Sequence, residues 1–315
     1  MKCPVCKTNI GDNLTVCPNC KFSDLHRFFI NSEDAANWMD EIVIPYRRKV
    51  DAASERIEDS YEALFSKQLK SISKHENAPF PFQYEISRKG VVITKYIGNS
   101  NNVVIPSHIE NQEVYRIGES AFANCKDVQN VIIPNTVQVI DEEAFSVTGL
   151  TSLDLPDSVN TIGRKAFHFN QKLTGTIVIP RKVKVIPNEA FSFSHVDTLI
   201  LKGAITIERD AFSACVRLKR VVFADGLEYV AFSAFKSTAV EKMIFPSSTK
   251  KVEGWNLPAG VHAAFLSDNT DVNFDYSVNY KKTPPTIYCN LGSKAHIEAR
   301  DKGLEYKPLS EFPND

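Results

Sequence analysis

From residue 82 onward the apolar positions repeat at a fixed interval. Ala-Phe pairs end on Phe122, Phe145, Phe167, Phe191, Phe212 and Phe235, separated by 23, 22, 24, 21 and 23 residues. An aliphatic residue precedes each pair by four positions: Ile117, Ile140, Ile162, Ile186, Ile207 and Val230. Short extended segments recur in phase with them. They are Val103-Val104-Ile105-Pro106, Val131-Ile132-Ile133-Pro134, Leu153-Asp154-Leu155-Pro156 and Ile177-Val178-Ile179-Pro180. Leu199-Ile200-Leu201, Val221-Val222-Phe223 and Met243-Ile244-Phe245-Pro246 follow. A period near 22 residues is the signature of a stacked repeat. One such unit supplies a single short strand and cannot bury its own apolar face. Stacked units pair their strands in parallel, ~4.8 Å apart, over one continuous interior. The six phenylalanines are predicted to form a buried spine, each ring removing ~150–250 Å² from water. Proline has no N–H for the ladder and so marks a strand end. Lys202 and Ala224 replace it on two rungs, where the strand is expected to run longer.

Side chains alternate across a strand, so the residue between two inward ones faces the other way. In rung order these are Val104, Ile132, Asp154, Val178, Ile200, Val222 and Ile244; six of the seven are apolar and β-branched. A solvated sheet face ordinarily carries polar residues there. One reading is an exposed apolar stripe that serves as a partner-binding surface. The other is that β-branched residues stabilise the sheet, or that the preceding helical segment lies across them. The flanking positions Asn130, Ser152, Thr176, Thr198, Arg220 and Lys242 turn cationic late, with Lys250 and Lys251 beyond them. That end either selects an acidic partner or is a solvated edge.

Upstream the period becomes helical. Ser32 can cap a helix that carries Ala35, Trp38, Met39 and Ile42 on one face, and Pro45 breaks it. A second stretch to Lys74 repeats Val50, Ala53, Ile57, Tyr61, Leu64 and Ile72 at threes and fours. Such a narrow face needs a surface to pack on. The solenoid is one candidate, and a second copy of the chain, making a homo-oligomer through a short coiled coil, is the other. Before the helices, Cys3-Pro4-Val5-Cys6 and Cys17-Pro18-Asn19-Cys20 form two CxxC pairs with ten residues between them. Two such turns complete a tetrahedral four-thiolate shell, which suits zinc or iron better than magnesium or calcium. The closed shell leaves no position for substrate, and so short a segment has no core of its own. One structural zinc on Cys3, Cys6, Cys17 and Cys20 is therefore expected to supply its folding free energy. A thioredoxin-like redox pair is the competing reading, and two pairs without a βαβ context argue against it. Lys2, Lys7, Lys21 and Arg27 with Phe22, Phe28 and Phe29 make the segment mildly basic and aromatic. Without a dense Lys/Arg stripe, nucleic-acid binding is the weaker alternative.

Several motifs carry a family resemblance. Ile117-Gly118-Glu119-Ser120-Ala121-Phe122 and Ile162-Gly163-Arg164-Lys165-Ala166-Phe167 resemble the BspA-like leucine-rich repeats of bacteria. The lead-in from Tyr84-Glu85-Ile86 to Val91-Val92-Ile93-Thr94-Lys95-Tyr96 is similar to that family's N-terminal capping hairpin. The tail from Thr286-Ile287-Tyr288 to Leu309 is similar to its closing cap. In that tail Ser293 can start a helix, Gly303 can stop it, and a last strand is expected around Tyr306. The CPxC pairs resemble the short zinc ribbons that open many bacterial proteins, although Lys7 and Lys21 stand where those usually have glycine. The likeness to the repeat family covers about residues 82–310. It implies a solenoid and, for several members, surface adhesion and protein binding, usually with export signals not seen here.

Composition adds mainly exclusions. With 43% hydrophobic and 24% charged residues and a net charge of −1, the chain has no bulk field for nucleic acid or an anionic membrane. No apolar run approaches the ~18 residues of a membrane span. Met1-Lys2-Cys3-Pro4 opens no signal-peptide stretch, so a cytoplasmic location is expected, with exposure at the surface by another route left open. Four of the 7 cysteines fall within the first twenty residues, and Cys125, Cys215 and Cys289 are dispersed. That suits a metal site plus free thiols in a reducing compartment. Cys125 and Cys215 each follow a spine phenylalanine by three residues and read as buried small hydrophobes. Cys289 with His296 lacks a third orienting group, and His168 and His195 merely stand on neighbouring rungs. No phosphate-cradling glycine loop, HExxH or GxSxG occurs.

The expected architecture is a mainly β leucine-rich-repeat solenoid of parallel strands with a small zinc ribbon and an α-helical linker. Its bounds are 1–30 for the ribbon, 31–80 for the linker, 81–258 for the solenoid with its capping hairpin at 82–105, and 259–315 for the C-terminal cap. The expected function is non-enzymatic protein binding through the strand face, with an adhesin-like surface protein as the alternative.

Overall fold

The computed structural model describes residues 81–254, 257–274 and 283–313. The described residues all belong to the second of two units of the chain, Asn77–Asp315. The expected zinc ribbon and helical linker lie outside the described residues.

Phe82–Ser87 and Gly90–Tyr96 form an antiparallel hairpin at the start of the second unit. Its second strand pairs in parallel with Gln112–Ile117, which passes the ladder on to the repeat. Each later rung has three sides, because its chain turns twice before reaching the next rung. The first side is a parallel sheet of longer strands. Asn102–Val104 pairs with Asn130–Ile132. After a gap, Thr176–Ile179, Thr198–Leu201, Arg220–Phe223, Lys242–Phe245, His262–Phe265, Thr286–Tyr288 and Glu305–Lys307 continue as a seven-stranded sheet. This sheet runs past residue 258 through the segment 259–315 expected as the C-terminal cap.

The gap falls at the rung expected to hold a strand over 153–156, which forms none. Asp154 occupies the middle of that segment, and aspartate is poorly suited to a pleated, half-buried surface. The expected lengthening at Lys202 and Ala224 does not occur either. Thr198–Leu201 and Arg220–Phe223 are four residues long, like the proline-terminated Thr176–Ile179 and Lys242–Phe245. The restored N–H groups instead each add one bond, from Lys202 to the Ile179 carbonyl (3.2 Å) and from Ala224 to that of Leu201 (3.0 Å).

The second side carries two-residue strands, among them Val139–Ile140, Thr161–Ile162, Val185–Ile186 and Thr206–Ile207. The residue after such a strand donates its N–H to the preceding rung, as Gly163 does to Ile140 (2.7 Å) and Glu208 to Ile186 (2.8 Å). Pro187 holds that position on the fourth rung and has no N–H to give. The ladder is accordingly split between Thr161–Ile162 and Val185–Ile186. Gly163 is required by proximity, because a Cβ there would lie 2.3 Å from the backbone nitrogen of Glu142.

The third side is the Ala-Phe turn. Spine N–H groups donate forward to alanine carbonyls, Phe122 to Ala144, Phe145 to Ala166 and Phe167 to Ala190, each at 2.8 Å. The rings are fully buried and stacked: centroids lie 4.8 Å apart for Phe122 and Phe145, 5.5 Å for Phe145 and Phe167, and 4.9 Å for Phe167 and Phe191. Tyr96 begins the stack 5.3 Å from Phe122. At the far end Phe223 meets Phe235 edge-on and opens a second stack through Phe245 to Phe265. Spine carbonyls are satisfied by side chains one rung later. Asn170 Nδ2 donates to Phe145 O (2.9 Å), Ser194 Oγ to Phe167 O (2.8 Å) and Cys215 Sγ to Phe191 O (3.1 Å).

At the C-terminal end, helix Lys294–Asp301 is capped by Ser293, whose side chain accepts from the His296 N–H. Gly303 ends it with φ of 69° before the last strand. Among the described residues no helix is long and apolar enough to cross a membrane.

Candidate protein-binding face

The outward positions of the long sheet form two rows. In one, Val178, Ile200 and Val222 are register partners, as are Ile244, Ala264, Tyr288 and Lys307 further along. In the other, Thr176, Thr198 and Arg220 lead through Lys242 and His262 to Thr286 and Glu305. The alternation fixes which residues appear here, since Ile177, Leu199, Val221 and Met243 between them point into the core.

Of the seven residues singled out from the sequence, Ile132, Ile200, Val222 and Ile244 are half-buried. Val104 and Val178 are nearly covered, at 6% and 7% exposure, and Asp154 alone is exposed. The row is thus apolar and partly covered, and it is interrupted where the sheet is. Partial desolvation nonetheless raises the Asp154 carboxyl above the usual carboxylate range, against the pull of Lys202.

The C-terminal third of the face satisfies itself. His262 Nδ1 lies 3.1 Å from the Tyr288 hydroxyl, Thr286 donates to Glu305 (3.1 Å), and Lys307 pairs with Glu305 (3.1 Å). Hydrogen bonds from Lys307, then Thr286, hold the Glu305 carboxyl below its ordinary range. Strands around Tyr288 and Tyr306 were expected here; His262–Phe265 was not, because Ala263-Ala264-Phe265 lacks the Val/Ile signature of the other rungs.

The groups considered for chemistry do not converge. Cys215 is buried and its thiol is pushed up to about 12, mainly by desolvation. Cys125, expected to be buried, is only half-buried, and burial raises its thiol as well. Cys289 is buried, with its thiol raised by burial, while His296 Nδ1 accepts from the Gly292 N–H (2.9 Å). His168 turns to Ser192 and Phe193, and burial lowers its pKa. Among the described residues no group of three or more His, Cys, Asp or Glu could hold a metal ion. Cys3, Cys6, Cys17 and Cys20 lie outside those residues.

The BspA type leucine rich repeat region matches this chain in six copies, over residues 95–206 and 199–256, a little more than half of its length. The chain belongs to the BspA-type leucine-rich repeat family. Among solved structures, a leucine-rich repeat protein from Bacteroides ovatus is 17% identical, with 68% of this chain and 71% of that one covered and a TM-score of 0.47. The T. pallidum leucine rich repeat protein is 22% identical over 51% of this chain and 88% of its own, with a TM-score of 0.42. The pneumococcal vaccine antigen PcpA is 17% identical, covering 66% of each chain, with a TM-score of 0.31. At these scores the family assignment rests on the repeat match. No curated protein matches the chain. The middle rungs of the long-strand face carry the apolar row.

Proposed function

We propose that this chain is a non-enzymatic protein-binding module whose partner docks on the long-strand face, centred on Ile200 and Val222. One observation carries the reading: an in-register row of β-branched side chains stands partly out of the interior, where a face in water ordinarily turns polar. A partner that covered the rest of each side chain would gain ~25 cal/mol per Å² removed from water. The test is Ile200→Thr with Val222→Thr, which keeps β-branching and makes the row polar. Affinity purification of the full chain from its own cells is expected to retain a partner that the double variant loses, with the melting temperature little changed. A partner held equally by both proteins overturns the reading. So does a variant that unfolds at far lower temperature, which would make the row part of the core.

We further propose one structural zinc on Cys3, Cys6, Cys17 and Cys20, on the strength of the paired spacing alone. Elemental analysis of the purified chain is expected to find one zinc per chain, lost in Cys17→Ser with Cys20→Ser. Metal-free chain from a chelator-free preparation would refute it.

A further inference from the structure

The steps between neighbouring rungs are not equally bonded. From the rung of residues 174–194 to that of 198–215, all three sides contribute. Thr176–Ile179 pairs with Thr198–Leu201 along its whole length, and Val185–Ile186 pairs with Thr206–Ile207. Lys202 and Glu208 donate back to Ile179 and Ile186 (3.2 and 2.8 Å), and on the turn Phe191 donates to Ala211 (2.9 Å). The preceding step, from residues 151–170 to 174–194, is different. Its long-strand side opens with one bond, from Thr174 N–H to Thr151 O (3.2 Å). Residues 152–156 then make no backbone hydrogen bond to either neighbouring rung. On the short-strand side Val185–Ile186 pairs only with the rung after it, and Pro187 has no N–H to offer the Ile162 carbonyl. Elsewhere a hydroxyl bridges the corner, as Ser158 does to Val137 O (2.6 Å) and Ser248 to Leu227 O (2.8 Å). Lys182 holds that position here.

The turn side of the same step is the reverse. Lys165, Phe167 and Phe169 donate their N–H groups to Asn188, Ala190 and Ser192 (3.1, 2.8 and 2.9 Å). The Phe167 and Phe191 rings stack with centroids 4.9 Å apart. Side chains reinforce it. His168 Nδ1 lies 2.7 Å from Ser192 Oγ, and Lys165 Nζ lies 3.8 Å from the Glu189 carboxylate. Ser194 Oγ donates to Phe167 O (2.8 Å) and accepts from the Asn170 N–H (3.3 Å). One side of the step is thus fastened, while the other two rely chiefly on the shared apolar core. Apolar contact is non-directional, so it resists rotation about the fastened side less than oriented hydrogen bonds do.

We propose that this step is a hinge. The stacks on either side of it rock about the Ala-Phe turns at Phe167 and Phe191, narrowing and widening the two strand-bearing sides. Val104 and Ile132 ride on one stack, and Val178, Ile200, Val222 and Ile244 on the other. The motion therefore sets the curvature of the long-strand face, and it stands whether or not that face binds a protein. Two residues make the hinge. Asp154 takes the place that Val178 fills on the next rung, and Pro187 the place from which Ala231 donates to Ile207 O (2.8 Å).

Double electron–electron resonance on the full chain tests this, with spin labels on the short-strand side, away from the fastened turns. Carrying the labels on a genetically encoded keto residue leaves the native cysteines untouched. Thr161 with Lys251 spans the step, and Val185 with Asp271 lies wholly beyond it. Each pair is four rungs apart, ~19 Å at the ladder spacing. The distance distribution of the first pair is expected to be at least ~2-fold wider than that of the second. Asp154→Val with Pro187→Ala should narrow the first to the width of the second and leave the second unchanged. Pro187→Ala alone, which asks least of the fold, should narrow it part of the way. Equal widths in the wild type overturn the proposal, and so does a first pair that stays as wide in both variants.

Discussion

Phe167 and Phe169 are two residues apart on one turn, as are Phe191 and Phe193 on the next. The first of each pair is fully buried in a stack with centroids 4.9 Å apart, and the second is left-handed and 40–45% exposed. The same side chain therefore stabilises at one position and costs free energy at the other. Packing decides the first choice, since every rung from 122 to 235 repeats it. Packing does not decide the second, where the residue passes from Asn124 through Val147 to Ala214 and Ser237. In a repeat, a position that varies freely from rung to rung is where function can be written.

The sharpest way to break this contrast is to truncate both members of one pair. Phe167→Ala opens a cavity between Phe145 and Phe191 that the stacked rungs cannot collapse into. It is expected to lose ~3–5 kcal/mol of stability in urea unfolding. Because each rung contacts only its neighbours, the loss should also lower the cooperativity of the transition. Phe169→Ala removes an exposed ring from a left-handed residue and is expected to change stability by less than ~0.5 kcal/mol. A loss at Phe169 comparable to that at Phe167 would mean that the outer ring is structural.

The spine was legible in the sequence because burial imposes Phe at a fixed spacing, and the stripe because strands alternate. The left-handed residues were not legible. Such positions usually announce themselves by Gly or Asn, yet here Ser120, Glu143, Lys165, Glu189, Asp210 and Ser233 form a second left-handed series, two places before each spine ring. The ladder hydrogen bonds enforce this backbone whatever the side chain, so composition carries no trace of it. Pro187 was visible, but its effect on the short-strand ladder depends on which N–H the neighbouring rung needs. That is a fact of stacking, not of one rung. The extent of the long-strand face was underestimated for a similar reason: register continues through Ala264 by backbone pairing after the apolar signature has faded.

Thr249 is the converse misfit, a polar group inside rather than an apolar group outside. Its hydroxyl is buried, and among the buried side-chain oxygens and nitrogens of the described residues it is the one left without a hydrogen bond. The Leu227 carbonyl on the preceding rung already accepts from Ser248 Oγ (2.8 Å), and Thr270 Oγ1 donates to the Thr249 carbonyl rather than to its hydroxyl (2.8 Å). Thr249 N–H bonds back to the Pro246 carbonyl, as Val137, Val159 and Val183 do to Pro134, Pro156 and Pro180. The position is thus one that valine fills on three other rungs. Thr249→Val keeps the shape and removes an unsatisfied buried hydroxyl, so it is expected to stabilise the solenoid by ~1 kcal/mol. The urea midpoint should rise with an unchanged slope. If it fell, the hydroxyl would have to be bonded in the folded protein, and rung-by-rung comparison would lose its power to mark a misfit at Asp154 and Pro187 as well.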